Sequence, residues 1–200
     1  MSWTLFDPLP GGYRVLNDVT ASATNDVWAV GYSFTFQSGY QPLTMHWNGT
    51  QWADLGVPNT ADGYPFFYAV TAISASDLWA VGYGAIPAQP VTAHWDGSAW
   101  TFVSNPNFPG GYAFLENVVA LASNDVWAVG YNLVGQSYKP LVEHWDGSSW
   151  SLTTVPTVKH ASNQLYGVTS DKGGGLWTAG YFYPRDFSQP ISTLILRGTP

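Results

Sequence analysis

Four histidines and thirteen acids are the side chains of this sequence that could hold a metal or move a proton. Three of the histidines recur in one context: His46-Trp47-Asn48-Gly49, His94-Trp95-Asp96-Gly97 and His144-Trp145-Asp146-Gly147. A trio of imidazoles could bind a metal ion or relay protons. Their spacing argues otherwise. They fall one per repeat at equivalent places, so symmetry holds them apart, and each reads as a hydrogen-bonded framework residue. No metal is implied. Several acids have a structural account as well. Asp26, Asp77 and Asp125 follow turn residues such as Ser123-Asn124, where a carboxylate accepts bonds from nearby backbone N–H groups. Asp96-Gly97 and Asp146-Gly147 are hairpin signals. Two acids escape that account, Glu116 and Asp18. Each could hold a sugar hydroxyl or a cation, or act as an acid or base with a pKa raised by burial.

The elements that must position these groups are set by a repeat. Asp26-Val-Trp-Ala-Val-Gly-Tyr32 returns as Asp77-Leu-Trp-Ala-Val-Gly-Tyr83 and Asp125-Val-Trp-Ala-Val-Gly-Tyr131. A weaker copy is Gly175-Leu-Trp-Thr-Ala-Gly-Tyr181. A further tryptophan follows each His-Trp motif, at Trp52, Trp100 and Trp150. Each unit of about 50 residues holds four strand-like runs. They are here termed a to d. Run a lies near Val19, Val70, Val118 and Val168. Run b is Trp-Ala-Val-Gly-Tyr, run c leads into the His-Trp motif, and run d starts at the next tryptophan. Alternation places Trp28, Val30 and Tyr32 on one face and the small Ala29 and Gly31 on the other. That small face should let a neighbouring sheet come close.

Four strands per repeat with this period predict an all-β chain, a four-bladed β-propeller of four-stranded antiparallel blades. One domain is expected over 1–200, with repeats at approximately 7–55, 56–103, 104–153 and 154–200 plus 1–6. The last repeat ends after its run c. Ser2-Trp3-Thr4-Leu5-Phe6 matches the start of run d at Ser149-Trp150-Ser151-Leu152-Thr153. The N-terminal strand is therefore expected to complete the last blade and close the ring. The Asp-Val-Trp-Ala-Val-Gly and His-Trp-Asp-Gly-Ser-Ser-Trp arrays resemble those of bacterial β-propeller repeat proteins. They are more loosely similar to the Trp-Asp-Gly blades of propeller lectins. The resemblance implies the fold and, through the lectins, carbohydrate binding.

In such a disc the d–a and b–c loops emerge on one face, the top. All eleven tryptophans fall at repeated positions toward the bottom, where inter-blade packing explains them. All twelve tyrosines fall toward the top. A tyrosine pairs a rigid ring with a wet hydroxyl, which suits a recognition surface. The residues around the axis near the top are Asn17, Tyr68, Glu116 and Tyr166, followed by Asp18, Ala69, Asn117 and Gly167. Gly12-Tyr13, Gly63-Tyr64 and Gly111-Tyr112 recur in the d–a loops, with Ser162 replacing the tyrosine in the fourth repeat. Arg14, Lys139, Lys159, His160 and Arg185 bring the basic and imidazole groups of that rim.

Composition narrows the function. The chain of 200 residues has no cysteine, so it has neither disulfides nor a thiol nucleophile. Net charge is −7 with six Lys+Arg, which offers nucleic acid no footprint. No apolar run is long enough to span a membrane, and Met1-Ser2-Trp3-Thr4 opens no secretory signal. The chain thus reads as soluble, cytoplasmic or secreted with a signal removed. No phosphate loop, nucleophile elbow, zinc signature or dinucleotide fingerprint occurs, and no cofactor is implied. The favoured reading is lectin-like recognition of a neutral polar ligand, with Asn17, Tyr68, Glu116, Tyr166, Tyr13, Tyr64, Tyr112, Lys139, Arg185 and His160 as candidate contacts. The alternatives are a small-molecule cyclase, lyase or isomerase using Glu116 or Asp18 in one axial pocket, and a structural or protein-interaction propeller. Ligand identity and oligomeric state stay open.

Overall fold

The computed structural model describes residues 2–6, 12–58, 65–84, 87–108, 111–184 and 190–198. Its strands form four antiparallel sheets, the blades of a propeller. Blade 1 holds β1 (Tyr13–Ala23), β2 (Asp26–Thr35), β3 (Gly39–Trp47) and β4 (Trp52–Asp54). Blade 2 holds β5 (Phe66–Ser74), β6 (Asp77–Gly84), β7 (Gln89–Trp95) and β8 (Trp100–Val103). Blade 3 holds β9 (Ala113–Ala122), β10 (Asp125–Val134), β11 (Ser137–Trp145) and β12 (Trp150–Leu152). Blade 4 holds β13 (Ala161–Ser170), β14 (Leu176–Pro184) and β15 (Ser192–Gly198). Within each blade the strands pair in chain order. No helix among the described residues is long and apolar enough to cross a membrane.

The core lies between blades. Trp28 and Val30 of blade 1 pack against Phe67, Leu78, Trp95 and Trp100 of blade 2. Trp79 and Val81 of blade 2 meet Leu115, Val126, Leu141 and Trp150 of blade 3. Indole rings carry the largest apolar area in the sequence, and here they interdigitate rather than face solvent. Trp28 lies 4.8 Å from Trp95 and 5.8 Å from Trp100. Trp79 lies 4.8 Å from Trp145 and 5.2 Å from Trp150.

The histidines are framework. The Nε2 atoms of His46, His94 and His144 lie 2.7, 2.8 and 2.9 Å from Oδ1 of Asp26, Asp77 and Asp125. Each imidazole also covers the indole of Trp28, Trp79 or Trp127 at 4.1–4.6 Å. The c–d turns follow their sequence signal. Asp96 Oδ1 accepts the N–H groups of Ser98 and Ala99 at 2.8 and 2.9 Å, Asp146 repeats this, and both carboxyls are held down to about 2. Gly97 and Gly147 take the positive φ that these turns demand.

Blade 4 departs from the repeat in three ways. First, Ser2–Phe6 forms no strand on β15. Among the described residues the fourth sheet has three strands, and Phe6 rests instead on Trp47 of blade 1, ring centroids 5.2 Å apart. The β1–β5, β5–β9 and β9–β13 pairs pack in succession, but no comparable packing joins β13 back to β1 among the described residues. The expected closing strand is thus not in place, and blades 4 and 1 lack the packing that joins the other neighbours among the described residues. Second, Pro190 is not the counterpart of Pro42, Pro90 and Pro140. Those three oppose Tyr32, Tyr83 and Tyr131, whereas Tyr181 opposes Thr193. Third, this register sets Arg197 opposite Trp177, where a histidine stands in the other blades. Its guanidinium lies over the Trp177 ring at 5.2 Å. The a–b turn of this blade is organised rather than slack. Asp171 Oδ1 accepts Gly173 and Gly175 N–H, and Oδ2 accepts Trp177 Nε1–H at 3.1 Å, the service Asp26 and Asp125 give Trp28 and Trp127.

Candidate functional site

The axial residues named from sequence share a local structure. In β1, Leu16 pairs with Gly31 and the next pair is Asp18–Val30, which leaves Asn17 as an extra residue. The same shift isolates Tyr68 between Phe67 and Ala69, Glu116 between Leu115 and Asn117, and Tyr166 between Leu165 and Gly167. Each is a β-bulge, which leaves one residue unpaired and re-aims its side chain. The partner strand must yield room. A Cβ on Gly31, Gly82, Gly130 or Gly180 would lie 1.8–1.9 Å from the carbonyl oxygen of Val15, Phe66, Phe114 or Gln164. The repeated glycine therefore serves a bulge inside its own blade, not the approach of a neighbouring sheet.

What the bulges present differs from blade to blade. Asn17 donates from Nδ2 to the Phe67 carbonyl at 2.6 Å, a bridge to blade 2. Asp18 is committed to backbone too: its two oxygens accept Val19 N–H at 2.8 Å and Val70 N–H at 2.9 Å. It clamps blade 1 to blade 2. Glu116 accepts a hydrogen bond from Tyr131. Burial raises its carboxyl above the ordinary carboxylate range, and that bond offsets part of the rise. Burial together with the neighbouring Glu116 pushes the Tyr131 hydroxyl up to about 12. Tyr68 stacks on Tyr83 at 5.5 Å within electrostatic reach of Glu116, and burial raises its phenol well above the usual value. Tyr166 stacks on Tyr181 at 5.4 Å and donates to Gln164 Oε1 at 2.9 Å. Tyr68, Glu116 and Tyr166 thus form one cluster, joined through Tyr83, Tyr131 and Tyr181.

Around this cluster runs an arc of aromatic rings. Centroids step from Tyr32 to Phe66 (4.9 Å), Tyr83 (5.2 Å), Phe114 (4.8 Å), Tyr131 (5.1 Å), Tyr166 (5.6 Å) and Tyr181 (5.4 Å). The arc crosses all four blades. In each of the first three, a strand-b tyrosine reaches the strand-a aromatic of the next. Tyr13 touches its start, 6.2 Å from Tyr32. The phenylalanines of this row carry no polar tag, and sequence reading passed over them. Their signal was positional, since both stand two residues before a bulge.

The other candidates are dispersed. The hydrogen bond from Leu133 N–H to the Tyr112 carbonyl, beside the Tyr13–Phe34 pair, makes Tyr112 and Tyr13 equivalent, and both are about half exposed. Ser162 opposes Tyr183 at that place in blade 4 and is buried. Lys139 is half-buried opposite Asn132. His160 sits in an exposed turn with φ 57°. Tyr64 and Arg185 lie outside the described residues. Sequence reading missed Glu143, which is fully buried; Asn105 Nδ2 donates to its Oε2 at 2.6 Å, and burial raises its carboxyl to about 7. Comparison across repeats could have found it, because Met45 and Ala93 hold its place in blades 1 and 2.

No protein-family model and no curated protein matches the chain. Two similar solved structures are a YCF48 bound to a D1 peptide and a fucose lectin from Kordia zhangzhouensis in complex with methyl-fucoside. The first is 16% identical with a TM-score of 0.44, over 96% of this chain and 71% of that one. The second is 14% identical with a TM-score of 0.40, over 70% of this chain and 99% of that one.

Proposed function

We propose that this propeller binds a neutral polar ligand, a carbohydrate by preference, on the tyrosine-lined face, with Glu116 as its polar anchor. The observation that carries the reading is the Tyr68–Glu116–Tyr131–Tyr166 cluster, a polar group set among aromatic rings at the bulges. Ring faces can cover the apolar C–H side of a sugar, while phenol hydroxyls and a carboxyl take its hydroxyl groups. The low charge of the chain suits a neutral ligand better than an ionic one. Calorimetric titration against a panel of neutral oligosaccharides tests this. Glu116→Gln and Tyr166→Ala should each weaken binding by about tenfold or more, the loss of one good polar or stacking contact. A panel without a binder, or a binder indifferent to both variants, would falsify the reading. A second reading, acid–base catalysis on a small molecule, is favoured by the burial that raises Glu116. It requires ligand turnover that Glu116→Gln abolishes while binding persists.

A further inference from the structure

A cavity of about 610 Å³ opens between blades 3 and 4, lined by Trp127, Val142, His144, Leu176, Leu196 and Arg197 among others. The other two interfaces are filled at this place. Trp28 is capped by Trp95 and Trp100, and Trp79 by Trp145 and Trp150. Blade 4 offers Gly198 where those blades carry the end-of-c tryptophan, and it has no fourth strand among the described residues. The cavity therefore has the form of a missing outer strand headed by an indole, beside the unpaired edge of β15.

The chain contains that strand, held elsewhere. Phe6 packs on Trp47, the end-of-c tryptophan of blade 1; between blades 2 and 3, Val103 of the outer strand and the end-of-c Trp145 pack against one shared cluster. Ser2–Phe6 is thus laid on blade 1 where the outer strand of a preceding blade would lie. Trp3 and Leu5 are left 91% and 93% exposed. Both flanking blade faces are bare. On blade 1, Val19 is 62% exposed where its counterpart Val70 is 5%. On blade 4, Trp177 and Ile195 are uncovered.

We propose that a second copy of this chain completes blade 4. Its Ser2–Phe6 adds antiparallel to β15, its Trp3 enters the cavity over Trp127, and its blade 1 covers Trp177 and Ile195. The interface continues the one already used twice between blades, which is why a copy of the chain, rather than an unrelated partner, fits it. Strand addition satisfies the free edge. Two such contacts related by a two-fold axis close a head-to-tail pair into one ring. The registers of blades 2 and 4 together place Thr4 opposite Arg197, as Thr101 stands opposite His94.

The absence of cysteine makes the test clean. Single variants Thr4→Cys and Arg197→Cys, mixed and oxidised, should link to each other as a species of twice 21.8 kDa. The wild-type chain should sediment at that doubled mass. Trp3→Ala should weaken the pair by about a hundredfold or more, as removal of a buried aromatic anchor does, with the far-ultraviolet dichroism unchanged. A wild-type chain that stays at 21.8 kDa at every concentration overturns the proposal. So does a double Thr4→Cys/Arg197→Cys chain that closes its disulfide within one copy, which would mean that the chain completes its own blade.

Discussion

Glu143 shows how one residue can escape a repeat. Its neighbours in sequence, Val142 and His144, line the gap toward blade 4. Alternation turns Glu143 the other way, toward Asn105 of blade 2. There it is completely buried, and its Oε1 finds no partner among the described residues. The folded carboxyl titrates near 7 against an ordinary 4.5, because burial penalises the charge more than the Asn105 bond rewards it. The sign follows directly. The folded state holds the proton more tightly than the unfolded chain, so stability falls as pH rises from 4.5 to about 7. The full effect is on the order of 3 kcal/mol. Urea titrations at about pH 5 and pH 8 should show that loss in the wild type, and Glu143→Gln, which keeps the shape without the charge, should be the more stable protein at the higher pH. Asp26 is held below its ordinary value and gives stability lost only as pH falls through the lowered value, so it does not act in this window. Equal pH slopes for wild type and variant would exclude Glu143 as the source.

At the scale of the strand, the bulge is what sets the axial residues apart from the framework. The repeat spelled out which residues alternate, and the order and pairing of the blade strands follow from it. A bulge is a break in that alternation, and a period-two pattern cannot announce one. The four axial residues were legible because they align across repeats; their unpaired state, and the glycine it requires, were not. The two kinds of glycine separate by experiment. Gly82→Ala brings a methyl group to 1.8 Å from the Phe66 carbonyl oxygen, backbone against backbone, and no side-chain rotation relieves it. It should destabilise by about 3 kcal/mol or more, the upper end of overpacking. Gly167→Ala has nothing within 4 Å and copies Ala69 of blade 2. It should be neutral or stabilising by up to about 1 kcal/mol. Thermal melts of the two variants decide the matter; similar losses at both positions would show that the close carbonyl is not what selects glycine.

Across the whole molecule, the strand-b tryptophans show that equal positions in a repeat need not have equal surroundings. Trp28 and Trp79 are each 1% exposed, Trp127 is partly buried beside the cavity, and Trp177 is 38% exposed. The sequence of each b strand sets the fold of its own blade, which is why blade number and strand order could be read in advance. Burial depends on what the following blade supplies, and that depends on how far the arc curves, a sum of small inter-blade rotations that no local motif records. The energetic consequence is graded. Trp79→Ala empties a packed interface and should cost about 3–5 kcal/mol. Trp177→Ala in an isolated copy removes a ring that is over a third exposed, lies under the Arg197 guanidinium and donates one hydrogen bond to Asp171, and should cost about 1–2 kcal/mol. If a second copy covers blade 4, that small figure holds only in dilute solution. With rising concentration the wild type gains stability from the buried Trp177 and the variant gains less, so their melting temperatures diverge. Melts over a hundredfold range of protein concentration measure this, with Trp79→Ala as the reference whose deficit stays constant. A Trp177→Ala deficit that does not grow with concentration would place blade 4 permanently against water.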